Sequence, residues 1–323
     1  MHAIVVENYG DASVLEWREQ PDPTPGPGEV TIRVTASGVN FADIQRRRGG
    51  YRGGPPPFTP GLDAAGTIAA VGPGVEGLRV GQRVAAFPDT GGYAEIVVAR
   101  PVLTYPLPDG VSDEDGASVT MLVTAYNLLT MAGKLQRGEN VLIHAAAGGV
   151  GSIAVQMARA LGAGTIVGTA GGAEKTKRAR EYGADVVIDY TSENIAEKVH
   201  AATGGHGVDV VLDAVAGETT AQSLPALAEG GRYCIYGMSS GQPAMFPSNV
   251  LHTGNKSAIG YTTGGYRASR PEVLRPGVEA AFKLVAEGKV KVVVGARYPL
   301  RAAADAHRFV ESRASHGKVV LTP

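Results

Sequence analysis

The amino-acid sequence predicts an α/β protein with two domains, a β-rich domain and a domain built on a doubly wound parallel sheet. Its 323 residues exceed the length of a typical single domain. Residues 1 to about 120 alternate short apolar runs with Gly and Pro, which is typical of strands joined by tight turns. From about residue 121, apolar runs alternate with helical stretches, which indicates a parallel sheet buried on both faces.

The boundaries follow from this change of rhythm. We expect the first domain to cover residues 1–120, with strands near 30–34, 66–71 and 93–98. The second domain covers residues 121–264. Residues 265–323 return to the first style, with a helix near 276–288 and a strand at 318–321, so we expect them to complete the first domain.

Composition excludes several classes of protein. Thirty basic residues oppose 31 acidic ones, and the net charge of -1 gives no reason to expect nucleic acid or an anionic membrane as a partner. The single cysteine, Cys234, rules out an intrachain disulfide, and a zinc site made of cysteines would need several. No run of about 18 apolar residues predicts a membrane span, and no leader pattern is visible, so we expect a cytoplasmic protein.

The strongest motif is residues 142–151, an apolar strand followed by a glycine-rich turn and a helix. Ala146, Gly148 and Gly151 occupy the three glycine positions of the dinucleotide-binding fingerprint. In that fingerprint the backbone approaches a pyrophosphate, whose negative charge is favoured at the start of a helix. The motif therefore predicts a cofactor site that includes Ala147, Gly148, Gly149 and Val150.

The end of the next strand indicates which dinucleotide binds. Enzymes that use NAD place an acid about 20 residues after the glycine motif, where it binds the ribose hydroxyls. Residues 167–172 contain no acid here, which leaves room for a 2′-phosphate, and Lys175 follows. NADP is therefore the better hypothesis. Lys177 and Arg178 are more simply interpreted as a solvated helix face.

Three further segments stand out beside the phosphate loop: Gly-Pro-Gly-Glu-Val at 26–30, Ala-Ser-Gly-Val-Asn-Phe-Ala-Asp at 36–43 and Pro-Gly-Leu-Asp-Ala-Ala-Gly at 60–66. Together these four segments resemble the medium-chain dehydrogenase/reductase superfamily, and specifically its zinc-free quinone oxidoreductase (zeta-crystallin-like) branch. The resemblance runs over essentially the whole chain. It implies a GroES-like catalytic domain, a Rossmann domain that binds NADPH, and an oxidoreductase activity.

The resemblance also implies that zinc is not a cofactor. Zinc-dependent members of the superfamily carry a cysteine where this chain has Asn40, and a histidine where it has Leu62. A leucine side chain has no donor atom. Among the histidines, His144, His200 and His206 do not form a ligand pattern in the sequence.

Site residues follow from the same resemblance. Asn40 lies beside the nicotinamide in the family, and Tyr51 lines the substrate cleft, so these two are the expected catalytic residues. Asp43 matches the family as well, with a structural role more probable than proton transfer. Met238 departs from the polar residue that the family has in its loop. The further cofactor contacts implied by the resemblance are Thr124, Thr169, Lys175, Tyr190, Gly237, Ser239, Ser240 and Arg313.

The first functional hypothesis is hydride transfer from NADPH to a quinone, with Asn40 and Tyr51 as neutral donors to the carbonyl oxygen and no need for a metal. The second is reduction of enones by an enoyl or alkenal reductase on the same scaffold. A third, an NADPH-binding protein with a structural or nucleic-acid-binding role, has no support from the charge. A predicted edge strand at 256–262 favours a homodimer that pairs across a two-fold axis, as in the resembled family.

Overall fold

The computed structural model of this chain describes residues 1–50, 53–89 and 91–323, which form two compact units. The first unit contains Met1–Leu122, Gly265–Glu287 and Val292–Pro323. The second contains Val123–Gly264 and Gly288–Lys291. The short segment 288–291, predicted from the sequence to belong to the first domain, therefore groups with the second unit.

The secondary structure of the described residues divides into strands and helices as follows. The strands are β1 (His2–Val5), β2 (Glu16–Glu19), β3 (Val30–Val39), β4 (Asp63–Val71), β5 (Arg83–Ala86), β6 (Ile96–Ala99), β7 (Thr104–Pro106), β8 (Val141–Ile143), β9 (Ile166–Ala170), β10 (Val186–Asp189), β11 (Val208–Asp213), β12 (Leu227–Ile235), β13 (Ser257–Gly260), β14 (Val294–Pro299) and β15 (Lys318–Thr322). The helices are α1 (Phe41–Arg47), α2 (Asp113–Gly116), α3 (Val119–Asn127), α4 (Gly149–Leu161), α5 (Ala173–Glu181), α6 (Ile195–Ala202), α7 (Glu218–Ser223), α8 (Ser248–Thr253), α9 (Thr263–Ser269), α10 (Arg275–Ala286) and α11 (Ala303–Glu311).

The first unit is β-rich, as the sequence predicts. Its larger sheet has the order β14-β15-β3-β4-β5-β7, and β6 also pairs with β3. Strands β1 and β2 form a separate antiparallel pair. Val30, Ile32 and Val34 are buried at alternate positions of β3, because side chains of a strand point alternately to its two faces. These valine and isoleucine side chains form the core of this sheet with residues of β4, β5 and β6.

The register of three strands brings distant residues together. Val319 of β15 pairs with Val39 of β3, and Gly38 of β3 pairs with Asp63 of β4. In antiparallel pairing, Lys318 therefore lies opposite Asn40, the residue that follows β3. Because side chains alternate along a strand, the side chains of Lys318, Asn40 and Asp63 point to the same face of the sheet.

The second unit has the Rossmann architecture. Its sheet has the order β10-β9-β8-β11-β12-β13, and every pair is parallel. Val141, Leu142 and Ile143 of β8 are all fully buried, as expected for a central strand covered on both faces. The predicted helix after the glycine turn is α4, which ends at Gly162 with φ +85°, the left-handed conformation that glycine favours. The predicted sixth strand is β13, at the edge of the sheet.

Some elements were not predicted from the sequence. The strand expected near 93–98 begins only at Ile96. Before it, Ala94 forms a single antiparallel bridge with Ala3, and the Tyr93 amide donates to the Pro60 carbonyl at 3.0 Å. Strand β14 and helix α11 were not predicted, because β14 includes Gly, Arg and Pro among its six residues and α11 buries Ala303, Ala306 and His307 in place of large apolar side chains. Within the described residues no helix combines the length and the apolar character that a membrane span requires.

Candidate functional site

The phosphate loop connects β8 to α4 and leaves backbone amides open. The first hydrogen bond of α4 runs from the Ser152 amide to the Gly148 carbonyl at 2.9 Å. The amides of residues 149–151 therefore have no acceptor within the helix. A Cβ on Gly151 would lie 2.2 Å from the Ala145 carbonyl oxygen, so only glycine allows the helix to approach the strand this closely. This open, electropositive helix start fits the pyrophosphate of a dinucleotide.

The predicted cofactor residues of the second unit lie at one edge of its sheet, because the carboxyl ends of parallel strands share an edge. The phosphate loop follows β8 and Thr169 lies near the end of β9. Thr124 reaches the same edge from α3, since its hydroxyl lies 2.6 Å from that of Thr263, which follows β13. The remaining residues at this edge are Lys175 after β9, Tyr190 after β10, and Gly237, Ser239 and Ser240 after β12.

The buried His144, which follows β8, is hydrogen-bonded to β9 and to α7. The side chain of Thr169 is buried, and its Oγ1 lies 2.9 Å from Nδ1 of His144. Nε2 of His144 lies 2.9 Å from Oγ of Ser223, whose hydroxyl hydrogen is donated to the Thr219 carbonyl at 2.7 Å. Ser223 must then accept from Nε2–H, so Nδ1 accepts from Thr169. Burial lowers the pKa of His144, which keeps the imidazole neutral. The Thr169 hydroxyl therefore donates its hydrogen to His144.

Asp189 and Tyr190, at the end of the neighbouring strand β10, contact the residues that follow β9. The Tyr190 hydroxyl would lie 2.7 Å from a Cβ on Gly171, so the tyrosine, which is half exposed, packs closely over this glycine. The Gly172 amide donates to both carboxylate oxygens of Asp189, at 3.1 and 3.2 Å. Hydrogen bonds from Thr191 and Gly172 lower the pKa of Asp189. An acid thus does stand near this edge, but it comes from β10 and binds backbone.

The loop after β12 is held against the loop after β11. The amides of Ser239 and Ser240 donate to the carbonyls of residues 214 and 215, both at 3.0 Å. Asp213, which is fully buried, accepts hydrogen bonds from the amides of residues 215 and 216 at 2.7 and 3.0 Å. Met238, which lies between Gly237 and Ser239 in the chain, is 55% exposed. The backbone of this loop is therefore held by hydrogen bonds, while the methionine side chain is exposed to solvent.

In the first unit, Asn40 belongs to a buried polar cluster. Nζ of Lys318 donates to Oδ2 of Asp63 at 2.8 Å and to Oδ1 of Asn40 at 2.9 Å. Nδ2 of Asn40 donates to the same Asp63 oxygen at 2.9 Å and to the Gly38 carbonyl at 3.3 Å. The other Asp63 oxygen accepts from the amide and the hydroxyl of Thr120. Sequence reasoning did not identify Lys318 or Thr120.

Asp43 holds the backbone around Asn40. Its carboxylate accepts from the Asn40 amide at 2.9 Å, as in a capping box, and from the Gly61 amide at 3.2 Å. Burial, together with the nearby charge of Asp63, raises the pKa of Asp43 to about 6. These contacts are structural, which is the role expected from the sequence.

Two residues implied by the resemblance are not found in either cluster. Tyr51 lies outside the described residues, so its role stays a prediction. Arg313 is exposed and follows α11 in the first unit, with φ +60° and its amide donating to the Val310 carbonyl at 3.1 Å. Its proposed cofactor contact also stays a prediction.

The side chains at the positions of the zinc ligands do not form a metal centre. Asn40 and Leu62 replace the cysteine and the histidine. The Lys318 ammonium lies 2.9 Å from Oδ1 of Asn40 and 2.8 Å from Oδ2 of Asp63. A cation already occupies the space beside this carboxylate. Across residues 1–50, 53–89 and 91–323 there is no group of three or more His, Cys, Asp or Glu side chains that could hold a metal ion.

Comparison with known proteins agrees with this geometry. The family described as alcohol dehydrogenase GroES-like domain matches residues 26–109, and the family described as zinc-binding dehydrogenase matches residues 149–279. A quinone oxidoreductase from Pseudomonas aeruginosa is 37% identical over 318 residues, which cover 98% of this chain and 97% of that protein. The chain belongs to the zinc-free quinone oxidoreductase branch of the medium-chain dehydrogenase/reductase superfamily.

Two other members of the superfamily are similar over their whole length. A 2-haloacrylate reductase from Burkholderia sp is 36% identical, with 99% of this chain and 98% of that protein covered. The crystal structure of Escherichia coli quinone oxidoreductase complexed with NADPH has a TM-score of 0.93 and 34% identity, with both chains covered completely. The quinone oxidoreductase fold predicted from the sequence is therefore confirmed.

We expect Asp43→Asn to change the pH dependence of stability. The folded pKa of Asp43 is about 6, against 3.8 for an unperturbed group. Between these values the folded state retains a proton that the unfolded state has lost, so stability falls as pH rises from about 4 to about 6. The difference in unfolding free energy, wild type minus Asp43→Asn, should decrease by roughly 3 kcal/mol over this window.

Urea unfolding followed by the fluorescence of Trp17, the single tryptophan, measures this difference for the first unit. Asp11→Asn is the matched control in the same unit. Hydrogen bonds from Ser13 lower the pKa of Asp11 in the fold, so its contribution to stability is lost as pH falls, which is the opposite sign. A difference for Asp43→Asn that does not change between pH 4 and 7 would contradict the prediction.

Proposed function

We propose that this protein is an NADPH-dependent oxidoreductase that reduces quinones without zinc. The observation that carries the proposal is the carboxyl edge of the second sheet, where open amides of the phosphate loop lie next to a β9 end that has no acid of its own. The similarity to the Escherichia coli quinone oxidoreductase that was crystallised with NADPH supports the same cofactor.

Each part of this edge has a distinct binding role. The amides of residues 149–151 would bind the pyrophosphate, and the Lys175 ammonium would bind the 2′-phosphate, with Tyr190 beside it. The loop that contains Gly237, Ser239 and Ser240, together with Thr124, would border the nicotinamide end. When bound, NADPH supplies the hydride. The protein's own task is then to orient the acceptor and to stabilise the charge that develops on its oxygen.

We assign the acceptor side to Asn40 and Tyr51. Both are neutral, so they position the acceptor and polarise its carbonyl group. Asn40 has limited freedom in this role, since its Nδ2 hydrogens are directed at Asp63 and at the Gly38 carbonyl. One lone pair of Oδ1 remains for a ligand, and Nδ2 would donate to one only by exchanging its 3.3 Å contact with Gly38.

The alternative activity is reduction of a conjugated carbonyl compound on the same scaffold. The 36% identity to a 2-haloacrylate reductase favours it, because that protein's name describes a conjugated acid as its substrate. A structural or nucleic-acid-binding role has no comparable support.

We also propose that the protein is cytoplasmic.

Steady-state NADPH oxidation with a panel of quinones and a panel of enones tests the activity. We expect quinones to give the higher kcat/KM, without added metal and with no loss of rate on treatment with a chelator. A higher kcat/KM for enones would establish the alternative activity. No turnover of either panel, with NADPH still bound, would refute both.

We expect Lys175→Gln to weaken the use of NADPH selectively. The KM for NADPH should rise roughly 10- to 100-fold, the equivalent of about 1.5–3 kcal/mol for a hydrogen bond to a charged group. The KM for NADH should change little, since NADH has no 2′-phosphate. Lys177→Gln is the control, because Lys177 is 72% exposed and faces Glu181. Equal changes for both cofactors would contradict the assignment of Lys175.

We also propose a homodimer that pairs through β13. Within the described chain this strand has β12 as its partner on one side, and most of its residues are exposed. An edge of this kind pairs readily with a second copy. Light scattering at micromolar concentration should give twice the chain mass of 33.2 kDa, and a monomer would count against the proposal.

A further inference from the structure

Lys318 is a buried lysine that no part of the cofactor site uses. Its side chain is 2% exposed, and the paired Asp63 side chain is 0% exposed. Lysines are almost never buried unless they are paired, because removing the charge from water is costly. The Lys318 side chain crosses over Gly38, where a Cβ would lie 2.3 Å from Cε and 2.5 Å from Nζ. The glycine therefore provides the space for the lysine.

A buried ion pair contributes little net stability compared with well-packed apolar residues, so stability alone does not account for it. Its geometry has a second effect, on Asn40. The lysine can only donate, so it binds Oδ1, and the carboxylate can only accept, so it binds Nδ2. Rotating the amide by 180° would place Nδ2 against the ammonium and Oδ1 against the carboxylate. The ion pair thus allows a single orientation of the Asn40 amide.

We propose that Lys318 and Asp63 are positioning residues that fix the amide of Asn40 for the reaction. The proposal rests on the proposed function for its kinetic consequences, but the orientation itself follows from the contacts. Thr120 completes the arrangement, because its amide and hydroxyl hold the second Asp63 oxygen. Thr120 and Lys318 therefore hold the Asp63 carboxylate, and Lys318 and Asp63 in turn hold the Asn40 amide.

Two variants separate positioning from stability. Lys318→Met removes the ammonium and leaves Asp63 as an unpaired buried charge, so it should lower both the thermal midpoint and kcat/KM for the acceptor. In the double variant Lys318→Met/Asp63→Asn no unpaired charge remains, and the midpoint should recover toward that of the wild type. The new amide would keep its oxygen on Thr120 and turn its NH₂ group toward Asn40. Asn40 should then lose its single orientation, because the new NH₂ group favours Oδ1 on this side whereas the Gly38 carbonyl still favours Nδ2.

We expect the double variant to retain a kcat/KM that is roughly 10- to 100-fold below that of the wild type, the effect of a misplaced group near the reacting atoms. The loss should appear in kcat more than in the dissociation constant of NADPH, measured by fluorescence titration. Arg232→Met is the control, since it breaks an ion pair with Glu139 in the second unit and should lower stability without lowering kcat/KM. Recovery of kcat/KM together with the midpoint would show that the pair is only structural.

A spectroscopic measurement tests the orientation without turnover. In protein labelled with ¹⁵N-asparagine, the Asn40 side-chain amide is identified by its loss in Asn40→Ser. We expect two well-separated, slowly exchanging proton signals in the wild type and shifted signals in the double variant. Unchanged signals would overturn the proposal. If the wild type reduces no acceptor, the proposed function fails, whereas these signals still decide whether Lys318 and Asp63 fix the amide.

Discussion

The first unit depends on the pairing of β15 with β3. This pairing joins residues near 320 to residues near 38, and the second unit is inserted in the chain between them. Strand β3 also pairs with β4 and β6, so it is the central element of its sheet. Without β15, the Asn40 end of β3 would lose Lys318, and Asp63 would be a buried carboxylate without its cation. The hydrogen bonds of Asn40 therefore depend on the register in which β15 pairs with β3.

Local signals made the second unit predictable. The strand, the glycine turn and the start of α4 are contiguous, so residues 142–151 determine the phosphate loop almost by themselves. The alternation of apolar runs and helices likewise gave the parallel sheet. The predicted strand ends were less accurate, because residues outside a regular strand, such as Tyr93 and Ala94, can be buried as completely as residues within one.

Contacts between distant parts of the chain could not be predicted in the same way. The Lys318 and Asn40 side chains meet across 278 positions, and nothing in either local segment indicates the other. The sequence indicates that His144 is not a metal ligand, but it does not reveal that its two ring nitrogens bind Thr169 and Ser223 from other elements. Asp189 lies on the neighbouring strand β10, so the residues that follow the glycine motif do not indicate it either.

The position of Cys234 has a consequence for an enzyme that handles quinones. Quinones are electrophiles that add to thiolates, so a quinone would alkylate an accessible cysteine. Cys234, the single cysteine, is fully buried in β12, and burial raises the pKa of its thiol to about 12. At neutral pH almost no thiolate forms, and the sulfur is inert. The single cysteine of the folded protein is thereby protected from alkylation by quinones.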